Sequence, residues 1–305
     1  MNNVIELSGV TKTYQGREVL HGVDLSVTAG STYFLVGPNG CGKTTTVESL
    51  VGLRTPTRGK ITVLGKAPGD PSLRPRIRVC LQGGAIHPQV TVREHFDYLA
   101  ALYGQGTDSV ETIAEQFVIQ DLLKRRYGRL SGGQQKRVLV AGCLFGDADL
   151  IVLDEPTSGV DLESRLSLWE SLSRAMQGTS TTLLATTHDL SEAEDYADNV
   201  IIMRDGRIVA DGSVTNLIHS AGLVGVVSMP ASVLGLLPDE GASARSILSR
   251  DRGTALVGYT DVDVLRREIQ ALDAAHGAEV RERSPRLSDV YLHTYRCPNG
   301  LEEKQ

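Results

Sequence analysis

Three glycines and a lysine crowd into "VGPNGCGKTTT", Val36 to Thr46, directly behind the apolar run Tyr33, Phe34, Leu35. Glycines let successive backbone amides converge on one concavity, and the positive end of a following helix adds to the field there. An anion is the guest such a loop suits. Gly37, four residues, then Gly42, Lys43 and Thr44 match the phosphate-binding pattern. In that pattern Gly37, Pro38, Asn39, Gly40, Cys41 and Gly42 form the loop and Lys43 reaches the β and γ phosphates. The Thr44 hydroxyl is placed for Mg²⁺, and Thr45 adds a donor. A thiol in an anion loop, Cys41, is expected to favour its thiolate.

A nucleotide loop also needs a carboxylate for the metal and a group that handles water. "DLIVLDEP" offers both at the end of an apolar strand. Asp154 is the metal-side candidate. Glu155 emerges at the strand's carboxyl end, where a general base polarises the attacking water. "LSGGQQKR", Leu130 to Arg137, opens another helix; Ser131, Gly132, Gly133 and Gln134 read either as a plain N-cap and turn or as a second anion half-site. One nucleotide does not need both half-sites from one chain.

Positioning these residues requires strands that end at them. "DLIVLD" and "TTLLATT" are continuous apolar strands separated by the amphipathic helix "LESRLSLWESLSRAM", and "NVIIMRDGRIVADG" reads as a closing hairpin. Strand, helix, strand with such strands predicts a parallel sheet covered on both faces. The first 30 residues alternate as short antiparallel strands, and helical spacing in "TVREHFDYLAALYG" and from Asp108 to Phe117 predicts a helical block over about 84–148. After about residue 220 the composition changes. "TALVGYT", "DVDVLRREIQALDAAHG" and "AEVRERS" read as strand, helix, strand, with Leu265, Ile269 and Leu272 as the buried helix face and Gly277 as its stop. The expected domains are 1–220 and 221–305.

Composition sets the outer limits. A net charge of −6 over 305 residues gives no basic field for a polyanion, and the run Lys124, Arg125, Arg126, Arg129 is short enough to be a solvated helix end. No nucleic-acid partner is expected. Cys41, Cys80, Cys143 and Cys297 are too dispersed for a zinc knuckle, and "MNNVIELSGV" lacks the regions of a signal peptide. A reducing cytoplasm is the natural expectation. The uncharged stretch "SAGLVGVVSMPASVLGLLP" reads as a buried strand followed by a short helix opened by Pro230, not as a membrane span.

In combination, "GPNGCGKTT", "LSGGQ", "LIVLDEPTSGVD" and "LLATTHD", in that order over about residues 4–220, resemble the nucleotide-binding subunit of an ATP-binding cassette (ABC) transporter. The resemblance implies an α/β fold: a P-loop NTPase core, an N-terminal antiparallel β subdomain, a helical signature subdomain and, here, a small C-terminal α/β domain. It implies ATP and Mg²⁺ as cofactors. It further implies a head-to-tail homodimer with ATP between the Gly37–Thr45 loop of one copy and Ser131–Gln134 of the other. By the same resemblance Tyr14 in "TKTYQG" stacks on adenine and Gln82, ending "IRVCLQ", contacts Mg²⁺ or water. Gly83 and Gly84 form a hinge, His188 contacts the γ phosphate, and Asp161 in "SGVD" contacts the second copy. A separate integral membrane permease would hold the subunit on the inner face of the cell membrane. "SPRLSDVYLHTY", Ser284 to Tyr295, resembles the terminal element of drug-exporter ATPases of the daunorubicin-resistance type, which implies export of a small amphiphilic compound. A nucleotide-controlled clamp on ribosomes or nucleic acid, and an importer ATPase, are the competing readings.

Overall fold

Alternating apolar residues at the N-terminus build two strands of twelve residues each, longer than the short strands expected. β1 (Asn3–Tyr14) and β2 (Arg17–Thr28) pair antiparallel around the Gln15–Gly16 turn, whose two residues both have positive φ. Ile5, Leu7 and Val10 point into the core from β1, which is flanked on its other side by β4 (Arg58–Val63). Between them β3 (Thr32–Val36) leaves this layer for a second sheet. The computed structural model describes residues 3–237, 242–251, 253–276 and 280–296; Cys297 and the helix stop expected at Gly277 lie outside the described residues. Two compact units result, 1–209 and 210–305.

The second sheet comprises β5 (Ile77–Cys80), β6 (Leu150–Asp154), β7 (Thr182–Thr187), β8 (Asn199–Arg204) and β9 (Arg207–Gly212) together with β3, in the order β5-β6-β7-β3-β8-β9. The pairings from β5 through β8 are parallel. Every residue of β6 and β7 is buried, as strands covered on both faces must be. Carboxyl ends of β3, β5, β6 and β7 therefore share one edge. The phosphate-loop residues lie there, joining β3 to α1 (Lys43–Leu50).

Three helices make the expected helical block: α2 (Val92–Leu102), α3 (Asp108–Gln116) and α4 (Gly132–Gly142). Arg78 of β5 fastens that block to the sheet. Its buried guanidinium lies 3.5 Å from the centre of the Tyr103 ring, at the end of α2, and donates to the Phe145 carbonyl at 2.8 Å. α5 (Leu162–Met176) spans the amphipathic helix read from the sequence, and α6 (Leu190–Tyr196) follows β7. Trp169 of α5 packs between Phe34 at 4.9 Å and Tyr196 at 5.8 Å, centre to centre.

α7 (Val214–Ser220) packs against the terminal helix and belongs to the second unit, so the division after 209 falls eleven residues before the limit expected at 220. Its antiparallel sheet has four strands: β10 (Gly225–Pro230), β11 (Arg245–Arg250), β12 (Thr254–Tyr259) and β13 (Arg281–Arg283), in the order β11-β12-β10-β13. β11 was not anticipated. Pro230 does open a short 3-10 helix, Ala231–Leu236, and among the described residues no helix is long and apolar enough to cross a membrane. α8 (Val262–His276) buries Leu265 and Leu272, with Ile269 half-buried; α9 (Leu287–Arg296) buries Leu287 and Val290.

One turn ties the first unit's two sheets to the phosphate loop. Asp205 and Gly206, both at positive φ, connect β8 to β9; the Gly206 amide donates to the Cys41 carbonyl and its carbonyl accepts from His21 of β2, each at 2.9 Å. A Cβ at Gly206 would lie 2.2 Å from the Val19 carbonyl oxygen. Gly206→Ala should accordingly lower unfolding stability by about 2–3 kcal/mol. Denaturant titration of the full chain checks this, and an unchanged midpoint would contradict the close approach.

Candidate active site

α1 differs from α2, α4 and α5 at its start. Gly42, at φ 113°, precedes it with no side-chain cap, and its first turn carries no acidic residue. α2 and α4 instead close their own N-termini with full capping boxes, and Asp161 caps α5. The first-turn amides of α1 are thus left for an outside anion. Bulk is excluded around them: a Cβ at Gly37 would meet the Met203 carbonyl at 2.3 Å, and one at Gly42 would meet Leu20 at 2.8 Å.

Asn39, Gly40, Gly42, Lys43, Thr44 and Thr45 line a cleft of about 340 Å³ with Gln82, Glu155 and His188. Lys43, only 4% exposed, donates to the carbonyls of Gly37 at 2.8 Å and Pro38 at 3.3 Å, and lies 3.4 Å from Glu155 Oε1. Glu155 Oε2 accepts from Gln82 Nε2 at 3.2 Å and sits 3.7 Å from His188 Nδ1. His188 is half exposed, so the cleft opens on its side. Glu155 itself has φ 47°, an uncommon conformation for a non-glycine residue, held by its amide donating to Thr186 Oγ1 at 2.9 Å.

Asp154 lies behind this cluster, 1% exposed. Its Oδ1 accepts from Thr186 at 2.6 Å and from Thr44 at 3.5 Å, while Oδ2 is buried with no hydrogen-bond partner. A carboxylate oxygen so placed beside a hydroxyl is the hard-oxygen donor chemistry that Mg²⁺ takes. Burial pushes the Asp154 carboxyl up from its usual range; bonds from Thr186 and Thr44 oppose this and the Glu155 charge adds to it.

Other residues singled out in the sequence lie off the cleft. Tyr14 sits under Lys12, 5.0 Å from ammonium to ring centre, with Arg54 at 6.0 Å. Ser131 caps α4, accepting from the Gln134 amide at 3.3 Å, and both Ser131 and Gly132 are exposed. Gly133 packs toward Ser164, and Asp161 accepts from the Ser164 amide at 2.9 Å. Ser131, Gly132, Gly133, Gln134, Asp161 and Tyr14 are absent from the cleft wall. The Cys41 expectation is overturned: the thiol is 4% exposed, belongs to the apolar core, and burial pushes its pKa up rather than down. Only its backbone faces loop duties. Val19 and Ser158 line the cleft unpredicted, and Thr186 was overlooked although a buried hydroxyl in an apolar strand signals a polar partner.

The chain belongs to the ATP-binding subunits of ABC transporters, and it is an ATPase of exporter type. A family profile described as "ABC transporter" matches residues 20–158. The chain is similar to the Nod factor export ATP-binding protein I of Rhizobium leguminosarum bv. viciae, 33% identical over 298 residues, 94% of this chain and 93% of that one. Daunorubicin resistance ATP-binding protein DrrA3 of Streptomyces coeruleorubidus is 31% identical over 307 residues, 96% of each. Among solved structures, an ATP-binding subunit of an ABC transporter superposes with a TM-score of 0.63 at 26% identity, covering 72% of this chain and 93% of that one. An Atm1-family ABC exporter with ATP bound shares the fold, with a TM-score of 0.63 over 70% of this chain and 39% of that one.

A carboxyl whose pKa is higher folded than unfolded contributes stability while protonated, and loses it as pH rises through the folded value. Ionised Asp154 therefore opposes folding at neutral pH. Asp154→Asn should raise the unfolding temperature at pH 7, by about 2–4 °C per kcal/mol relieved, with the gain shrinking toward pH 4, while hydrolysis is lost. Calorimetry at both pH values checks it; a lower melting temperature at pH 7 would refute the assignment.

Proposed function

We propose that two copies of the chain bind head to tail and hold Mg·ATP between the Gly37–Thr45 loop of one and the Ser131–Gln134 signature of the other. The observation that carries this reading is the split of the donors. An uncapped helix start, Lys43 and Glu155 share one cleft, whereas Ser131–Gln134 at the start of α4 are not among the residues that line it.

Incoming γ phosphate competes with Glu155 for the Lys43 ammonium, which leaves the carboxylate to face water. Glu155 takes the proton as the water oxygen attacks γ phosphorus, and the bond to the β-phosphate oxygen breaks to give ADP and phosphate. His188 and Gln82, both beside Glu155 Oε2, hold the water and the γ oxygens. Thr44, Asp154 and Gln82 would hold Mg²⁺, which would supply positive charge to offset that of the phosphates. Tyr14 is our assignment for the adenine face, and Asp161 for the turn that meets the second copy.

The energy goes to a separate membrane permease, which would keep the subunit peripheral on the inner face of the cell membrane. A groove of about 730 Å³ supports this: Leu81, Gly84, Ile86, His95 and Leu139 are among the residues lining it, and Leu81 directly precedes Gln82. A helical segment of the permease seated there would press on the Gln82 loop. The relatives are named for Nod factor export and for daunorubicin resistance, which favours export of a small amphiphilic compound over import or a ribosomal clamp.

Glu155→Gln should bind Mg·ATP, lose about 10²-fold or more in hydrolysis, and elute as a dimer. Lys43→Ala should weaken ATP binding about tenfold or more. Light scattering with saturating Mg·ATP decides: a Glu155→Gln protein that stays monomeric refutes the shared site, and one that hydrolyses normally refutes the base.

A further inference from the structure

Arg165 stands in the first turn of α5, its amide donating at 3.0 Å to the carbonyl of Asp161, the residue that caps that helix. Its guanidinium crosses to the loop that carries His188. Nη1 donates to Asp189 Oδ2, and Nε lies 3.8 Å from Glu192 Oε1. Glu192 is 3% exposed, and Oε1 has no hydrogen-bond partner. Its Oε2 accepts from the Thr187 hydroxyl at 2.6 Å, and Thr187 Oγ1 in turn accepts from the Asp189 amide at 3.0 Å.

Both chain neighbours of His188 are therefore pinned, and the chain of bonds ends on Arg165. A carboxylate as buried as Glu192 requires an opposite charge nearby, and Arg165 supplies it while also holding Asp189. Trp169, one turn further along α5, packs on Tyr196 of α6 and fixes the spacing of the two helices. Movement of the 158–161 turn is thus carried to His188 through one planar cation, a bridge that a lysine's single ammonium spans poorly.

We infer that Arg165 is a positioning residue for hydrolysis, locking His188 in register with the turn that ends at Asp161. The inference rests on the role given to His188 above. Arg165→Gln in the full chain should lower kcat about tenfold with KM for ATP within about twofold, and Arg165→Lys should recover only part of the loss. In a His188→Ala background the Arg165→Gln change should alter the single-turnover rate less than about twofold, since no imidazole is left to position. An equal loss in both backgrounds, or parental kcat in Arg165→Gln, overturns the inference. Asp189→Asn keeps the α6 cap, should show the same loss and should not add to it; if Arg165→Gln does not fold, this variant decides by the same His188→Ala comparison. A His188→Ala protein as active as the parent refutes instead the role of His188 on which the inference stands.

Discussion

A buried ammonium must be answered by negative charge or by carbonyl oxygen, and Lys43 is answered by Glu155 and by two carbonyls of its own loop. That one constraint orders the cleft. The loop has to curl back over its own lysine, which glycines at 37, 40 and 42 permit. Glu155 has to turn out of β6 into a left-handed conformation to reach it, and Thr186 on the neighbouring strand holds that turn. Gln82 and His188 then find Glu155 because β5 and β7 end beside β6 on the same sheet edge.

What the sequence disclosed and what it concealed follow from the range of each interaction. Phosphate loop, acid pair and His188 are local: each is a short segment at the end of a strand, and the apolar runs before Gly37, Asp154 and His188 mark those strands. Cys41 was misread because its position in the loop was legible and the direction of its side chain was not; the side chain belongs to the core cluster that also holds Leu20 and Met203, far away in sequence. Arg165 carried no signal, since its partners Asp189 and Glu192 lie more than twenty residues on and are reached only after α5 and β7 have folded back. β11 was missed for a related reason: "RSILSR" is short and polar at both ends, and it becomes a strand by pairing with β12.

Within the second unit, the terminal segment owes its shape to one acid. Asp289, fully buried, receives both arms of Arg283 at 2.6 and 2.8 Å and the Arg286 amide at 2.8 Å. The pair fixes the start of α9 against β13, while Leu287 and Val290 supply the apolar contact. A bidentate pair with a third donor offsets the desolvation of a carboxylate that a lone partner would not. The aspartate and leucine of "SPRLSDVYLHTY" are accounted for by packing.

Self-capping of α4 does not remove its N-terminus from phosphate chemistry. Ser131 Oγ accepts the Gln134 amide through a lone pair, and its own proton stays available to an acceptor outside the chain. The cap holds the hydroxyl in place without consuming it. Gly133 is kept small by Ser164, whose Oγ would lie 3.0 Å from any Cβ there, so the turn rests on the first turn of α5. That same turn of helix carries Arg165, bonded to Asp189 beside His188. The exposed Ser131–Gln134 turn and the loop of His188 thus rest on the same turn of α5.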